Sequence, residues 1–375
     1  MNIRDFTTAK ERRKALEKEL SVDLKNIGSF SFDESIVSAK NCENMIGAVQ
    51  VPIGIAGPLR IKSRDYYIPL ATTEGALVAS INRGCKAITE SGGAIVDSHR
   101  VGATRGPVFK VKNLVESDRL YRFLKERLKD LQNVASQTSH HIKLEKLMTR
   151  GVGRYRFVRF VFDCQDAMGM NMATIASQAL VAYIEQETGV TCLALAGNFD
   201  IDKKPAWLNF IENRGTKAWA EVTVPERVLK NVLKTTAQKV YDVWLAKCMI
   251  GSAISGSMGF NAQFANVTAA VFLATGQDVG HVGEASMGIT TAEIIGCEDL
   301  YMNVCLPDLM VGTVGGGTGL STQKEALAII GVDTSQKLAE VIAGAVLAGE
   351  LSLLSSLEEG TLSRAHRRLG RGENV

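Results

Sequence analysis

Residues 153–197 read GRYRFVRFVFDCQDAMGMNMATIASQALVAYIEQETGVTCLALAG, and this stretch decides the fold. GRYRFVRFVFD predicts a strand, DAMGMNMATIASQALVAYIEQE a helix, and VTCLALAG another strand. Upstream, RGPVFKV predicts a strand, and residues 116–135 predict a charged helix. Strands that alternate with two helices over about 90 residues predict a small split β-α-β module.

The flanking sequence has a different residue pattern and predicts a larger α+β domain that the small module interrupts. Short apolar runs broken by glycine and proline, VQVPIGIAGPLRI, DYYIPLA and AWAEVTVP, predict strands and turns. Helices are expected at about 8–20, 225–247, 260–275 and 336–357. The predicted divisions are a helical N-terminal arm (1–38), a large domain (39–105 and 206–375), a small inserted domain (106–195) and a connecting loop (196–205).

Composition restricts the class of protein. The 375 residues are 46% hydrophobic and 22% charged, as in compact globular proteins, and the net charge of +3 includes no large basic block, which argues against a nucleic-acid partner. Seven scattered cysteines indicate free thiols in a reducing compartment. The N-terminus has no apolar signal region, and the apolar stretch Leu338–Leu357 contains Glu340 and Glu350, which favours a buried helix over a membrane span. We expect a cytoplasmic protein that binds neither membranes nor nucleic acids.

Lys203 and Lys204 are adjacent in AGNFDIDKKPAW, between an apolar strand and Trp207. A lysine beside an apolar wall suits the stabilisation of an oxyanion. An ordinary solvated loop explains the same residues, because exposed lysines are the norm.

Two carboxylates have similar ambiguity. Glu74 lies at a predicted strand-to-helix junction after Thr72 and Thr73, where helix capping and the helix dipole explain it as well as general acid catalysis does. Asp278 falls just past the C-terminal end of an apolar helix, where its charge opposes the dipole. It therefore requires a partner cation or another reason to be there.

Two glycine-containing segments and one histidine complete the candidates. DAMGMN (Asp166–Asn171) starts a predicted helix whose N–H groups suit a phosphate, although Asp166 is equally compatible with a plain N-cap. GTVGGGTGL (Gly312–Leu320) permits close approach of a ligand but lacks the ending of an ATP-binding P-loop, and a ligand-free turn is the alternative. His366 has a chemical role only if the C-terminal tail folds over a site. The other four histidines show no metal-ligand spacing, so no metal is expected.

Taken together, the chain resembles the hydroxymethylglutaryl-CoA (HMG-CoA) reductase family over nearly all of its length after about residue 40. The matching strings, in order, are ENMIG–VPIGIAGPL, ATTEGALVASINRGC, TRGPV, DAMGMN, GN followed by DKKPA, KCMIGSA, GSMGFNAQFAN, GQD, EDLY, GTVGGGT and AGELSLLSSLEEG, with His366 six residues on. ATTEG is similar to the class that includes the animal and many archaeal enzymes. The resemblance implies a ferredoxin-like small domain, an active site at a homodimer or higher interface, and reduction of HMG-CoA to mevalonate and CoA.

The resemblance also implies roles for individual residues. Lys203 would stabilise the oxyanions, Glu74 would protonate the aldehyde oxygen, Asp278 would tune both, and His366 would protonate the CoA thiolate. The positions that match substrate contacts are Arg105, Asn198, Asp202, Lys204, Lys247, Asn266, Leu353 and Leu357. The positions that match nicotinamide-cofactor contacts are Ser139, His140, Asp166, Met168, Gly169, Met170, Asn171, Val314, Gly315, Gly316 and Gly317.

Three positions depart from the family pattern. Ala196 replaces a substrate-loop serine, and Gln263 replaces a histidine of the animal enzymes. His140 stands where an arginine meets the 2′-phosphate of the cofactor, and acidic Asp163 is close in sequence to the cofactor motif. A neutral histidine holds a phosphate less well than arginine. We expect NADPH as the cofactor, with NADH as the alternative.

Two other functions fit the same residues. An NAD(H)-dependent enzyme that oxidises mevalonate would use the same fold in the opposite direction. A catalytically silent protein that binds CoA or a nucleotide would need none of the four catalytic residue types, and all four are present.

Overall fold

The computed structural model describes residues 5–358 as a mixed helix and sheet fold with two large hydrophobic cores. The helices are α1 (Ala9–Leu20), α2 (Glu34–Lys40), α3 (Leu77–Glu90), α4 (Leu114–Glu126), α5 (Leu128–Ser136), α6 (Met170–Thr188), α7 (Trp207–Glu212), α8 (Glu226–Val228), α9 (Ala237–Trp244), α10 (Ser252–Ser255), α11 (Phe264–Thr275), α12 (Val282–Ala285), α13 (Ser321–Ile330) and α14 (Ser335–Glu358). The strands are β1 (Ile53–Ile61), β2 (Arg64–Ala71), β3 (Ile95–Arg105), β4 (Val108–Lys110), β5 (Lys143–Val152), β6 (Tyr155–Asp163), β7 (Thr191–Ala194), β8 (Arg214–Val224), β9 (Gly259–Phe260), β10 (Gly288–Ile295) and β11 (Asp299–Leu309).

The small module has the strand order β7-β4-β6, with β5 on the other edge of β6. With α4 and α5 between β4 and β5, and α6 between β6 and β7, this is the ferredoxin-like split β-α-β arrangement. Its core packs aromatic residues of β6, such as Phe160 and Phe162, against Leu180 of α6. The predicted fold class is confirmed, while the exact domain boundaries stay a prediction.

Strand β3 connects the small module to the larger sheet. Its first residues pair with β8, and its last three, Ala103–Arg105, pair with β6. At the crossing, a Cβ on Gly102 would lie 2.4 Å from the carbonyl oxygen of Phe162, so this close approach requires glycine. The sheet then continues through β8, β11, β10 and β9. The sequence analysis did not identify β3, β5, β10 or β11.

Helix α14 lies at the centre of the larger core, as predicted for the apolar C-terminal stretch. By length and composition Ser335–Leu357 passes the test for a membrane span, but 89% of that apolar window is buried inside the protein. Helix α3 packs directly on it, since a Cβ on Gly84 would lie 1.9 Å from the carbonyl oxygen of Ala348. The helix therefore forms the interior of the fold.

Several predicted helices differ in detail. The expected helix at 8–20 is confirmed as α1, whose N-cap Thr8 forms a capping box with Glu11. Residues 116–135 form two helices, α4 and α5, which divide at Arg127. The segment 225–247 is interrupted at Lys234, which adopts a left-handed conformation, and contains π-helical turns at Leu229–Leu233 and Leu245–Gly251.

Candidate active site

Lys203 extends from the loop of residues 196–205 toward Asp278. Its Nζ lies 2.7 Å from Oδ2 of Asp278, and the two side chains are 45% and 35% exposed. Gly280 permits this approach, because a Cβ there would lie 2.9 Å from Cδ of Lys203. The cation that the sequence analysis required for Asp278 is therefore Lys203.

Asp278 follows the left-handed C-cap Gly276 of α11 and caps the next turn, the 3-10 helix Val279–His281. Its Oδ1 accepts the N–H of Gly280 at 2.9 Å. Burial raises the pKa of Asp278, but hydrogen bonds from Lys203 and Gly280 outweigh burial, so the pKa lies below its ordinary value. The carboxylate is therefore ionised at neutral pH and holds the ammonium group beside it.

Behind Lys203 lies a buried polar network that the sequence analysis missed. Arg214 at the start of β8 and Glu284 in α12 form a fully buried ion pair. Glu284 also accepts the backbone N–H of Lys203, and Nη2 of Arg214 donates to Oδ1 of Asp202 at 2.9 Å. Burial raises the pKa of Glu284, but hydrogen bonding to His281 and the charge of Arg214 lower it to about 2. Glu284 is therefore an anion that links Arg214 to the loop.

His281 is buried between three carboxylates. Its Nδ1 lies 3.2 Å from Oε1 of Glu284, and its Nε2 lies 3.9 Å from Oδ1 of Asp202 and 3.9 Å from Oδ2 of Asp278. The ligand atoms of Asp202, His281 and Glu284 lie within 4.8 Å of one another, a spacing that also suits a metal ion. Here the guanidinium of Arg214 contacts both Asp202 and Glu284 and supplies the positive charge.

Asp308 of β11 is a further member of this buried polar network. Its Oδ2 accepts Nδ2 of Asn209 at 2.8 Å. Full burial and the charge of Glu284 raise the pKa of Asp308 well above its ordinary value. Burial therefore favours the protonated form of Asp308, next to the ionised Glu284.

Four predicted substrate residues gather around the same loop. Nη1 of Arg105 lies 3.4 Å from Oδ2 of buried Asp200 and 3.7 Å from Oδ2 of Asp202. Nζ of Lys204 lies 3.2 Å from Oδ1 of Asn198 and 3.5 Å from the carbonyl oxygen of Asp202. The loop therefore presents several cations next to Lys203, an arrangement that suits an anionic ligand.

Lys247 lies in the π-helical turn Leu245–Gly251, a rare conformation that often marks functional sites. Its exposed side chain borders a cleft of about 660 Å³, together with Pro205 at the end of the active-site loop and Met287. The cleft therefore connects Lys247 to the same loop.

Glu74 is held apart from Lys203 within the chain. Its Oε1 accepts Nδ2 of Asn266 at 3.4 Å. Asn266 lies in the first turn of α11 and Asp278 lies beyond the last, and a helix of 12 residues is about 18 Å long. No hydrogen bond or ion pair among residues 5–358 joins Glu74 to Lys203 or Asp278. The expected cap for the helix after Glu74 is wrong: α3 begins at Leu77 after a left-handed Ala76 that makes no side-chain cap.

The two predicted cofactor segments meet. Ala167 of DAMGMN and Val314 of the glycine-rich loop form a parallel β-bridge. Gln277, the neighbour of Asp278, accepts the N–H of Gly312 at 2.8 Å and donates to its carbonyl oxygen at 3.0 Å. The glycine-rich loop is therefore joined on one side to DAMGMN and on the other to the Lys203–Asp278 pair.

Asp166 does not cap the helix that follows it. Helix α6 begins at Met170, and its N-cap is Gly169, which has a φ of 89°. A Cβ on Gly169 would lie 2.3 Å from Sγ of Cys164. Asp166 instead accepts the N–H of Ser335 at the start of α14, at 2.9 Å, and pairs with Nη2 of Arg100 at 3.1 Å. Its capping partner is distant in sequence, which local reasoning could not predict.

The remaining predicted cofactor and substrate residues have simpler settings. Met170 is buried and accepts a contact from Arg214, Met168 is half-buried, and Asn171 is exposed in the first turn of α6. Gly315 and Gly316 have φ of 81° and 56° and open space at their Cβ positions, and Gly317 packs on Gly276. Ser139 accepts the N–H of His141, and His140 is exposed. Leu353 and Leu357 lie half-buried on α14, and His366 is outside the described residues.

Comparisons of the chain with a family model and with individual known proteins agree on one family. A model of the hydroxymethylglutaryl-coenzyme A reductase family matches residues 8–371. The chain is 48% identical over 369 residues to 3-hydroxy-3-methylglutaryl-coenzyme A reductase of Methanothermobacter thermautotrophicus, covering 96% of this chain and 93% of that protein. It is 41% identical over 376 residues to the Dictyostelium discoideum reductase 1, covering 96% of this chain and 68% of that protein.

Among solved structures, the fold is similar to a class II HMG-CoA reductase from Streptococcus pneumoniae, bound to NADPH in open conformations. The TM-score is 0.71 at 18% identity, and the match covers 94% of this chain and 97% of that one. At this identity the likeness supports the fold alone.

Proposed function

The chain belongs to the hydroxymethylglutaryl-coenzyme A reductase family, and from this premise we propose that it reduces HMG-CoA to mevalonate and free CoA with NADPH, in the mevalonate pathway. The observation that carries the proposal is the Lys203–Asp278 pair, which lies beside Asp202 and Lys204 of the loop and near Arg105 at the end of β3. These residues occupy the positions that the sequence motifs assign to chemistry and to substrate binding.

The loop suits the substrate because the acyl group of HMG-CoA carries a carboxylate at one end and the reacting thioester at the other, with a hydroxyl between them. Lys204 and Arg105 offer cationic donors for the hydroxyl and carboxylate end. Lys203 would then face the carbonyl oxygen of the thioester, on which negative charge develops. Asp202 is held by Arg214 and stays in place to orient the substrate hydroxyl.

A bound nicotinamide cofactor would supply the hydride for each of two successive reductions of the same carbon. After the first, the ammonium of Lys203 stabilises the oxyanion of the hemithioacetal, which breaks its carbon–sulfur bond and releases the CoA thiolate. His366 gives that thiolate a proton. In the second step Lys203 again stabilises the oxygen, and Glu74 donates the proton that turns mevaldehyde into the alcohol. Asp278 keeps Lys203 oriented throughout.

The residues present fit a dinucleotide. The glycine-rich loop has open space at Gly315 and Gly316 and is fixed against DAMGMN through the Val314–Ala167 bridge. Backbone N–H groups at the start of α6 suit a phosphate. Val314, Met168 and Asn171 would border the same groove.

Preference for NADPH is supported by the environment of Asp163. A free carboxylate near a ribose 2′-phosphate would repel it, but Oδ1 of Asp163 lies 3.4 Å from Nη1 of Arg100 and accepts the N–H of Gln165 at 2.9 Å. Arg100 also balances Asp166. One observation favours the alternative function, an NAD(H)-dependent enzyme that oxidises mevalonate. His140, with an exposed side chain, stands where an arginine is expected to meet the 2′-phosphate of the cofactor.

The separation of Glu74 from Asp278 supports a homodimer. Asn266, which contacts Glu74, and Asp278 lie at opposite ends of α11. A second copy of the chain would bring its Glu74 and Asn266 to the Lys203–Asp278 pair. The complete site would then lie between two protomers.

The function is tested by supplying HMG-CoA with NADPH or NADH and following nicotinamide absorbance, with mevalonate measured as the product. We expect two NADPH consumed for each mevalonate formed and a higher kcat/KM with NADPH. Preference for NADH, with efficient oxidation of mevalonate in the presence of CoA, would favour the alternative function.

The shared site is tested by complementation. Glu74→Gln and Lys203→Ala variants are each expected to be inactive, but dissociating and re-associating an equal mixture yields mixed dimers with one intact site. Random pairing predicts recovery of about a quarter of the wild-type activity. Absence of recovery, with mixed dimers present, would place all catalytic residues in one chain.

A further inference from the structure

Four consecutive residues of the active-site loop are each held by a buried side chain from outside the loop. The carbonyl oxygen of Asp200 accepts Oγ1 of Thr104 at 2.9 Å, and that of Ile201 accepts Nδ2 of Asn209 at 2.9 Å. Oδ1 of Asp202 accepts Nη2 of Arg214 at 2.9 Å, and the N–H of Lys203 donates to Glu284. We call the four holding residues the loop clamp: Thr104, Asn209, Arg214 and Glu284.

The members of the loop clamp are joined to one another and fully buried. Nε of Arg214 donates to Oγ1 of Thr104 at 2.7 Å, and Nη1 of Arg214 donates to Glu284. Asn209 donates Nδ2 to Oδ2 of Asp308 at 2.8 Å, and the charge of Glu284 acts on that same carboxyl group. All four side chains have a relative exposure of 0%. A shift in one member therefore propagates to the others.

The held backbone is in an uncommon conformation. Ile201 and Lys203 have φ of 48° and 59°. A left-handed conformation is unusual for any residue with a Cβ and is an outlier for a β-branched one, so it costs free energy at both positions. Such residues persist only where the surroundings determine them, and the hydrogen bonds to residues 200–203 do so here.

Stability alone does not explain the charges in the loop clamp. Desolvation of a buried ion pair offsets much of its attraction, so well-packed apolar residues often serve stability equally well. Arg214 and Glu284 instead provide directional bonds to two adjacent residues, Asp202 and Lys203. This arrangement indicates that the ion pair orients the loop more than it stabilises the core.

We propose that the loop clamp, through the Arg214–Glu284 ion pair, positions Lys203 for catalysis without touching substrate or cofactor. The inference rests on the proposed role of Lys203 as the residue that stabilises the oxyanion. Such a donor must stand at hydrogen-bond distance from the developing charge before the reaction, and a misplacement of 1 Å can cost about 100-fold in rate. Arg214 and Glu284 are positioning residues in this account.

Two substitutions test the proposal at separate points of the clamp. Glu284→Gln preserves the shape and removes the charge that faces Arg214. Thr104→Val preserves the shape and removes the hydroxyl that joins Arg214 to Asp200, and Thr104→Ser restores it. The matched control is Thr268→Val, which removes an equally buried hydroxyl whose bond at 2.7 Å goes to the backbone of its own helix, at Phe264.

Steady-state kinetics provide the first measurement. We expect kcat with HMG-CoA to fall about tenfold or more for Glu284→Gln and severalfold for Thr104→Val, with KM for NADPH unchanged. Thr104→Ser should recover most of the loss, and Thr268→Val should keep the wild-type kcat. Wild-type kcat in both clamp variants, or a Thr104→Val defect that Thr104→Ser does not repair, would overturn the proposal.

Amide hydrogen exchange provides a measurement that does not depend on turnover. Glu284→Gln should speed exchange in peptides covering residues 199–206 and leave exchange of β6 and α14 unchanged. Unchanged loop exchange would overturn the inference even if the enzyme is slowed. If instead Lys203→Ala retains turnover while loop exchange responds as expected, the proposed function of Lys203 fails and the clamp still holds the loop.

Discussion

Nζ of Lys203 lies 2.7 Å from Oδ2 of Asp278, and the aliphatic part of the lysine passes directly over Gly280. The pair joins the loop between the two cores to the turn that follows α11. The same turn is joined through Gln277 to the glycine-rich loop. The loop of residues 196–205, the Lys203–Asp278 pair and the glycine-rich loop therefore form one connected structure.

Gly280→Ala should displace Lys203 with little effect on the fold. The added Cβ would lie 2.9 Å from Cδ of Lys203 and 3.1 Å from Oδ1 of Asp278. We expect kcat to fall about tenfold, with the thermal midpoint within a few degrees of wild type. Gly283→Ala is the control, because its Cβ would lie at an ordinary 3.6 Å from the carbonyl oxygen of Lys203. Equal kinetics for the two variants would argue against the predicted displacement.

Gln277→Ala should weaken cofactor binding. Its buried amide makes both hydrogen bonds to the backbone of Gly312, and loss of such bonds costs about 1–3 kcal/mol. We expect KM for NADPH to rise about tenfold and KM for HMG-CoA to change much less. Gln238→Ala, at a surface residue paired with Asp242, is the control. A larger effect on HMG-CoA than on NADPH would show that the glycine-rich loop does not hold the cofactor.

Asp308→Asn should be tolerated, in contrast to Glu284→Gln. Because the pKa of Asp308 is raised, its protonated form is favoured, and asparagine resembles that form and can still accept Nδ2 of Asn209. We expect wild-type kcat at neutral pH. A tenfold loss of kcat would mean that the buried carboxyl group has a role as a charge.

The pH dependence of stability provides a second check on Asp308. Because its folded pKa is raised, its favourable contribution is complete below its unfolded value near 3.8 and is lost as the pH rises toward the folded pKa. Asp308→Asn lacks this loss. Its free energy of unfolding relative to wild type should therefore increase in urea titrations as the pH rises above the unfolded value of 3.8. A constant difference would indicate an unshifted Asp308.

Local patterns predicted a substantial part of the fold. The strand, helix and strand of residues 153–197 are β6, α6 and β7, because each has the periodicity of its element within a short window. Strands β3 and β10 were missed. Their sequences, IVDSHRVGATR and GITTAEII, mix polar and small residues, and their stability comes from pairing with β8 and β11.

Part of the candidate site was also predictable from local sequence patterns. Motif positions located Lys203, Asp278 and Glu74, and the structure joins the first two. Arg214 and Glu284 gave no signal, since ENRGTK and HVGEAS have the composition of ordinary turns and nothing in one sequence shows that a charged residue is buried. Asp166 was assigned to the wrong helix because its partner, Ser335, is distant along the chain.

The most direct test of the account is the turnover of Lys203→Ala with HMG-CoA and NADPH, measured beside wild type at matched protein concentration. Lys203 is a partly exposed loop residue, so the variant should fold and keep its thermal midpoint. Loss of the donor that stabilises both oxyanions predicts a fall in kcat of about 100-fold to 1,000-fold or more. Near-normal kcat in the folded variant would contradict the assignment of Lys203 as the catalytic cation.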